Sequence, residues 1–209
     1  MGLDGIVWKL YDISTWLMRL IYLNVLWLLF SILGLVVLGF FPATAAMFSI
    51  NRKWTLGEKD IPIFKSFWET FKESFVQVNL VGYMLVILGY FLYVDLRFFQ
   101  GTEQFFISLF SYVIIFSLFI YFCVILYIFP VYVHYQYKTM EYIKYSIVVA
   151  MGKPIYTIMM VVGSFLVYLV ITVVPVLFLF FGGSLLSMVL TKIAMKSFPK
   201  QEIKRGDFQ

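Results

Sequence analysis

The chain is poor in the residues that most catalytic and metal sites require. Its 209 residues include one cysteine, Cys123, and one histidine, His134. A lone cysteine excludes an intramolecular disulfide, and a lone histidine excludes a multi-histidine metal site. Charged residues make up only 13% of the sequence, and no carboxylate falls within a long apolar run. Ionisable side chains inside a membrane usually mark ion or proton pathways, so their absence argues against an ion-coupled transporter.

The motifs of nucleotide hydrolysis and of nucleophilic or zinc-dependent catalysis are also missing. The sequence contains no G-x-x-x-x-G-K-[ST], no H-E-x-x-H, no G-x-S-x-G and no paired cysteines. We therefore expect a protein that is not an enzyme and that binds no nucleotide, metal or other cofactor. The net charge of +5 does not indicate nucleic acid, because the lysines and arginines flank apolar runs instead of forming a basic domain.

What the chain has in abundance is apolar surface. Hydrophobic residues make up 63% and aromatic residues 21% of it, and a water-soluble domain of this length could not bury so many. Runs without charge match the roughly 20 residues that a helix needs to cross a bilayer. The sequence predicts an all-α polytopic membrane protein in one domain, with five transmembrane helices at about residues 17–40, 78–95, 105–129, 154–174 and 176–195.

Positive charge predicts how these spans are oriented. With five spans, only Lys9, Arg19 and Arg97 of the 16 lysines and arginines fall on one side of the membrane. Treating the last apolar run as a single span would divide the charges evenly, so Pro175 is interpreted as a hinge between two spans. Because cytoplasmic loops are rich in lysine and arginine, we expect an extracellular N-terminus and a cytoplasmic C-terminus in the plasma membrane.

An amphipathic cytoplasmic helix is predicted between the first and second spans, at about residues 61–76. Asp60 is placed to cap it and Pro62 to occupy its first turn. Charged residues lie off its aromatic face, which is built from Phe64, Phe67, Trp68, Phe71 and Phe75. Such a face either lies in the lipid interface or docks onto a protein, and the sequence leaves both open.

Small and polar residues within the spans indicate helix contacts. Gly182, Gly183 and Ser184 allow another helix to approach, and that helix belongs either to this chain or to a partner. Asn24 and Asn79 are expected to form hydrogen bonds between helices.

The connection after the first span carries the most particular pattern. It contains a Pro-Ala-Thr-Ala-Ala turn from Pro42, then Arg52-Lys53-Trp54, Gly57-Glu58, Asp60-Ile61-Pro62, Phe67 and Phe71-Lys72. Together with Gly152-Lys153-Pro154 and Phe181-Gly182-Gly183-Ser184-Leu185, this pattern resembles the YesL-like family of small bacterial integral membrane proteins. Members of that family are typically encoded in Gram-positive bacteria beside oligosaccharide ABC importers. The resemblance implies an auxiliary role in carbohydrate uptake.

Three functions follow from these observations. The first is a non-catalytic accessory subunit that binds the permease subunits of a carbohydrate ABC importer and membrane lipids, using the aromatic face and the segment Gly182–Ser184. The second is an independent transporter or facilitator that acts as an oligomer. The third, a membrane enzyme, requires Asp95, Arg97, Glu103 or His134 to converge on one site.

Overall fold

The computed structural model describes residues 3–100 and 105–198, and these residues form helices without any strand. The helices are α1 (Leu3–Leu33), α2 (Phe40–Thr55), α3 (Ile63–Gln100), α4 (Phe105–His134), α5 (Thr139–Gly152), α6 (Pro154–Val173) and α7 (Val176–Ser197). Five segments are long and apolar enough to cross a membrane: Leu10–Leu33, Ile63–Gln100, Phe110–His134, Pro154–Val173 and Val176–Ser197. The predicted all-α class is confirmed, and the number of helices long and apolar enough to cross a membrane equals the predicted five.

Six of the helices pair into three antiparallel hairpins. In the α1–α2 hairpin, the indole Nε1 of Trp27 donates a hydrogen bond to Thr44 Oγ1 over 3.0 Å. In the α3–α4 hairpin, the Tyr121 hydroxyl donates to the Leu85 carbonyl over 2.9 Å. In the α6–α7 hairpin, the backbone of Gly163 lies against Val189. Helix α5 connects the second hairpin to the third and packs on the end of α4.

The turn of the first hairpin depends on two glycines and two strained residues. Leu35 and Val36 have φ angles of 55° and 63°, a left-handed conformation that is costly for a β-branched residue. Gly34 and Gly39 approach so closely that a methyl group on Gly34 would overlap the backbone of Gly39. A side chain at Gly34 therefore cannot be accommodated without opening the turn.

Helix α2 is the main departure from the prediction. The first span was expected to reach residue 40 and to stop at Pro42, with the following small residues near the membrane surface. Instead α1 ends at Leu33, and Pro42 lies in the first turn of α2, where its missing N–H breaks no helical hydrogen bond. Ala43, Ala45 and Ala46 are fully buried, because their small size lets α2 pack in the centre of the molecule.

The predicted amphipathic helix and second span form one continuous helix. Helix α3 has 38 residues and is about 57 Å long at 1.5 Å per residue. No proline or glycine interrupts it between the two predicted segments. Asp60 does not cap this helix as predicted. Its carboxylate instead forms an ion pair with Arg19 in α1, with 3.3 Å between Nη2 and Oδ1.

One end of the molecule, which we call the basic end, collects most of the positive charge. Arg19 donates a hydrogen bond to the Lys59 carbonyl over 3.0 Å, and Trp16 lines a pocket with Lys192 and Lys196 of α7. The side chain of Gln77 in α3 donates a hydrogen bond to the Tyr137 carbonyl beyond the end of α4, at the basic end. Arg97 lies 20 residues further along α3 and is therefore near the opposite end of the molecule.

The basic end contradicts one part of the predicted orientation. Arg19 was placed on the opposite side of the membrane from Lys59 and Asp60, but groups in hydrogen-bond contact share one side. The prediction was wrong because α2 runs back along α1. The chain that follows α2, at residue 60, therefore returns to the level of residue 19 in α1. The residues of α2 were predicted to lie near the membrane surface, and a helix returning along α1 was not predicted.

Candidate interaction surfaces

The predicted aromatic face of α3 is partly used within the chain. Phe30 of α1 inserts its ring among four rings of α3, with centroid distances of 5.1–6.3 Å, and these rings belong to Phe64, Phe67, Trp68 and Phe71. Their spacing of i, i+3, i+4 and i+7 forms the hole into which a neighbouring helix places a knob. Phe67 is fully buried and Phe71 is 8% exposed.

The remaining part of this face is accessible. Phe64 is 52% exposed and Trp68 is 39% exposed, whereas Phe75 is half-buried and contacts Phe71 edge to face. Lys72 lies with its Nζ 5.1 Å from the centroid of the Trp68 ring, a favourable arrangement of a cation over an aromatic face. Phe64 and Trp68, which we call the aromatic edge, form an exposed surface held in place by Phe30 from behind.

Gly182, Gly183 and Ser184 lie inside the chain. Asn24 of α1 accepts hydrogen bonds from the backbone N–H groups of Gly183 and Ser184, each over 3.0 Å, and donates one to the Leu179 carbonyl over 2.7 Å. Met47 of α2 also packs against Gly183. The sequence left open whether the helix that approaches these residues belongs to this chain or to a partner. In the structure it belongs to this chain. These three residues are therefore no part of an accessible partner surface.

Two further buried asparagines join separate segments of the chain. Asn79 donates to the Leu38 carbonyl over 2.9 Å, which ties α3 to the turn of the first hairpin. Asn51 of α2 donates to Ser187 Oγ of α7 over 2.7 Å. The interhelical bond expected of Asn24 is thus present, whereas Asn79 bonds to the turn between α1 and α2. Asn51 adds an interhelical bond that was not predicted. A buried asparagine in the small-residue stretch after Pro42 was the signal that could have revealed it.

A cavity of about 510 Å³ lies between α2, α3, α4 and α7. Its wall is almost entirely apolar, and the four hydroxyl groups on it already form hydrogen bonds within the chain, those of Thr44, Tyr121, Tyr132 and Ser187. A sugar in such a cavity would lose its hydrogen bonds to water without gaining enough partners in exchange. The cavity therefore suits an apolar occupant.

A polar cluster closes the basic end near this cavity. Arg52 Nε donates a hydrogen bond to His134 Nδ1 over 3.3 Å, and the His134 ring stacks on Phe198 at a centroid distance of 4.8 Å. Burial lowers the pKa of the Arg52 guanidinium, and the charge of Glu58 opposes this shift. The pKa of Tyr135, in the loop after α4, is raised by burial and by its hydrogen bond with Tyr145.

The residues proposed for an enzymatic site do not meet. His134 ends α4 at the basic end, whereas Asp95 and Arg97 lie near the opposite end of α3. Glu103 lies outside the described residues. Among residues 3–100 and 105–198, no three histidine, cysteine, aspartate or glutamate side chains form a group that could hold a metal ion.

The chain is similar to several bacterial proteins. A family model described as "Protein of unknown function, DUF624" matches residues 20–96, which include the second part of α1, all of α2 and most of α3. Bacillus subtilis (strain 168) contains the uncharacterized protein YesL, 41% identical over 186 residues, or 88% of this chain and 87% of YesL. The uncharacterized protein YteU of the same strain is 32% identical over 206 residues, 99% of this chain and 92% of YteU.

A third relative in that strain, the uncharacterized protein YesV, is 35% identical over 185 residues, which is 88% of each chain. No solved structure matches the sequence. The similarity to these relatives covers most of the chain, so the three hairpins and the aromatic edge all lie within it.

Proposed function

This chain belongs to the DUF624 family of YesL-like membrane proteins, and we propose that it is a non-catalytic accessory subunit of an oligosaccharide ABC importer. In this role it binds the permease subunits within the plasma membrane and stabilises the complex or modulates sugar uptake. The resemblance to the YesL-like family supplies the link to carbohydrate import. The aromatic edge supplies a surface for the permeases.

The observation that carries the proposal is the exposure of Phe64 and Trp68 on a supported helix. Phe30 fills the space behind them, so docking does not first require the edge to become ordered. Large aromatic side chains surrounded by charged ones are typical of the central contacts of protein interfaces. Here the exposed charges of Lys65, Glu69 and Lys72 border the two rings.

The basic end faces the cytoplasm in this proposal. Arg97 is the one described lysine or arginine assigned to the opposite end of the spans, which follows the excess of positive charge in cytoplasmic loops. The aromatic edge lies near the start of α3, close to the basic end, and is therefore offered to permease loops or helices at the cytoplasmic side of the membrane. Residues 10–20 of α1 then share that side with the end of α7.

The alternative function is transport by this chain alone, as a facilitator that acts as an oligomer. It is favoured by the central cavity, but the apolar wall of that cavity does not fit a sugar. Liposomes that contain only this chain separate the two functions. We expect no sugar flux above that of protein-free liposomes, and flux that saturates with sugar concentration would replace the accessory role with transport.

Variants of the aromatic edge test the accessory role. The double substitution Phe64→Ala with Trp68→Ala is expected to reduce recovery of the permeases with the tagged chain. Tyr90→Ala with Phe91→Ala is the matched control, because these aromatic residues are at least as exposed on the same helix but lie in its apolar half. Equal recovery with all three proteins would show that the aromatic edge is not the docking surface.

A further inference from the structure

A pocket at the basic end combines tryptophan and lysine side chains. It has a volume of about 520 Å³ and is lined by Trp16 of α1, Trp54 and Thr55 of α2, and Lys192 and Lys196 of α7. The two indole rings meet edge to face at a centroid distance of 5.6 Å. Lys192 and Lys196 are one helical turn apart, so both side chains reach the same side of the pocket.

An apolar groove adjoins this pocket along α1 and α7. It has a volume of about 400 Å³ and is lined by Ile13, Leu17 and Leu20 together with Met188. Trp16, Met188 and Lys192 line both the pocket and the groove. The cationic pocket and the apolar groove are therefore neighbours that share one wall. From Leu20 onward α1 carries no charge, so the groove leads toward the membrane interior.

Only part of the positive charge around the pocket is neutralised by an acidic side chain. Arg19 Cζ and Lys59 Nζ each lie 5.9 Å from the centroid of the Trp16 ring. The acidic group beside them, Asp60, is already paired with Arg19. Neither Lys192 nor Lys196 forms an ion pair with any residue in the described part of the chain.

We propose that this site binds an anionic phospholipid of the surrounding membrane, with its phosphate at Lys192 and Lys196 and one acyl chain in the groove. The charge of the pocket complements a phosphate, and the groove complements a hydrocarbon chain. Tryptophan and lysine at the end of apolar spans also lie where lipid headgroups are found. The site belongs to this chain and does not depend on the proposed importer.

The test measures lipid binding to the full chain in detergent by native mass spectrometry. Dioleoylphosphatidylglycerol is compared with dioleoylphosphatidylcholine, which has the same chains but no net charge. We expect retained phosphatidylglycerol on the wild-type protein and binding about thirtyfold weaker after Lys192→Gln with Lys196→Gln, since two headgroup contacts are lost. Glutamine keeps most of the lysine stem, so the packing of α7 is preserved.

The control variant is Lys138→Gln with Lys144→Gln, which removes the same charge from exposed positions of the loop before α5 and of α5 itself. It should retain wild-type binding of phosphatidylglycerol. Equal binding of the two lipids, or an equal loss in both lysine variants, would overturn the proposal, because either result indicates general attraction to a basic surface.

The acyl-chain part of the proposal has its own test. Phosphatidylglycerol with brominated chains should quench tryptophan fluorescence of the wild-type chain, and the quenched amplitude should fall in Trp16→Phe. Quenching that is unchanged by Trp16→Phe would place the chain elsewhere and contradict the groove. Release of the lipid by millimolar inorganic phosphate would likewise contradict it, because a lipid held by both parts resists displacement by a headgroup analogue.

Discussion

The side chain of Asn24 in α1 is hydrogen-bonded to the backbone of Gly183 in α7, with 3.0 Å between Oδ1 and the glycine nitrogen. The same amide donates to the Leu179 carbonyl over 2.7 Å. An α-helix ordinarily pairs the N–H of residue 183 with the C=O of residue 179. Asn24 thus contacts both members of one step of the hydrogen-bond ladder of α7. It joins the first and last helices of the molecule.

We predict that Asn24→Ala destabilises the protein by about 1–2 kcal/mol, because the bonds to α7 are lost in a buried position. The change is measured as thermal unfolding in detergent. Thr172→Ala is the control, because its exposed hydroxyl bonds only to its own helix, at the Tyr168 carbonyl. An unchanged unfolding temperature in Asn24→Ala would show that the contact with Gly183 adds no stability.

A second prediction concerns the turn of the first hairpin. Gly34→Ala is expected to cost about 2 kcal/mol or more, because the new methyl group overlaps the backbone of Gly39. Gly152→Ala is the control, since a methyl group there meets no atom within 4 Å. If both variants unfold at the wild-type temperature, the close approach of the two glycines does not determine the turn.

The ring of Phe30 gives a third prediction. Phe30→Ala should lower the free energy of unfolding by about 3 kcal/mol, because it empties the hole between four rings of α3. Leu29→Ala, at a neighbouring position that is 50% exposed, should change it by much less. The same unfolding assay in detergent compares them. Equal effects would mean that Phe30 does not support the aromatic edge.

Orientation gives a fourth prediction, tested with single cysteines in a Cys123→Ala background. Because the basic end is expected to face the cytoplasm, a membrane-impermeant maleimide should label Gln100→Cys in intact cells. Tyr11→Cys should be labelled only after the membrane is made permeable. Labelling of Tyr11→Cys in intact cells would place residue 11 outside and refute the proposed orientation.

The lengths of the uncharged runs in the sequence were sufficient to predict the class of the protein and the number of long apolar helices. Helix α2 could not be predicted in the same way, because 16 residues are too few for a typical span and Pro42 ends helices as readily as it begins them. Without α2 as a returning helix, Arg19 and Asp60 were assigned to opposite sides. Because this one helix was missed, Arg19 was placed apart from Lys59 and Asp60, which it contacts.

Only those features of the candidate surfaces that lie within a single helix could be predicted from the sequence. Helical spacing identified the aromatic face of α3, but the insertion of Phe30 between Phe67 and Phe71 is a tertiary contact that no local pattern encodes. The polarity of Asn24 within an apolar run predicted an interhelical bond. Its partner, the segment at Gly183, became known only from the packing of α1 against α7.

The central claim is that this chain docks onto sugar-importer permeases through the aromatic edge. Its most direct test is purification of the tagged chain from native membranes in mild detergent, followed by mass spectrometry of the proteins that accompany it. We predict two permeases and their ATPase with the wild-type chain, and recovery about tenfold lower with Phe64→Ala and Trp68→Ala. Recovery of the chain alone, or only as a self-oligomer, would contradict the accessory role.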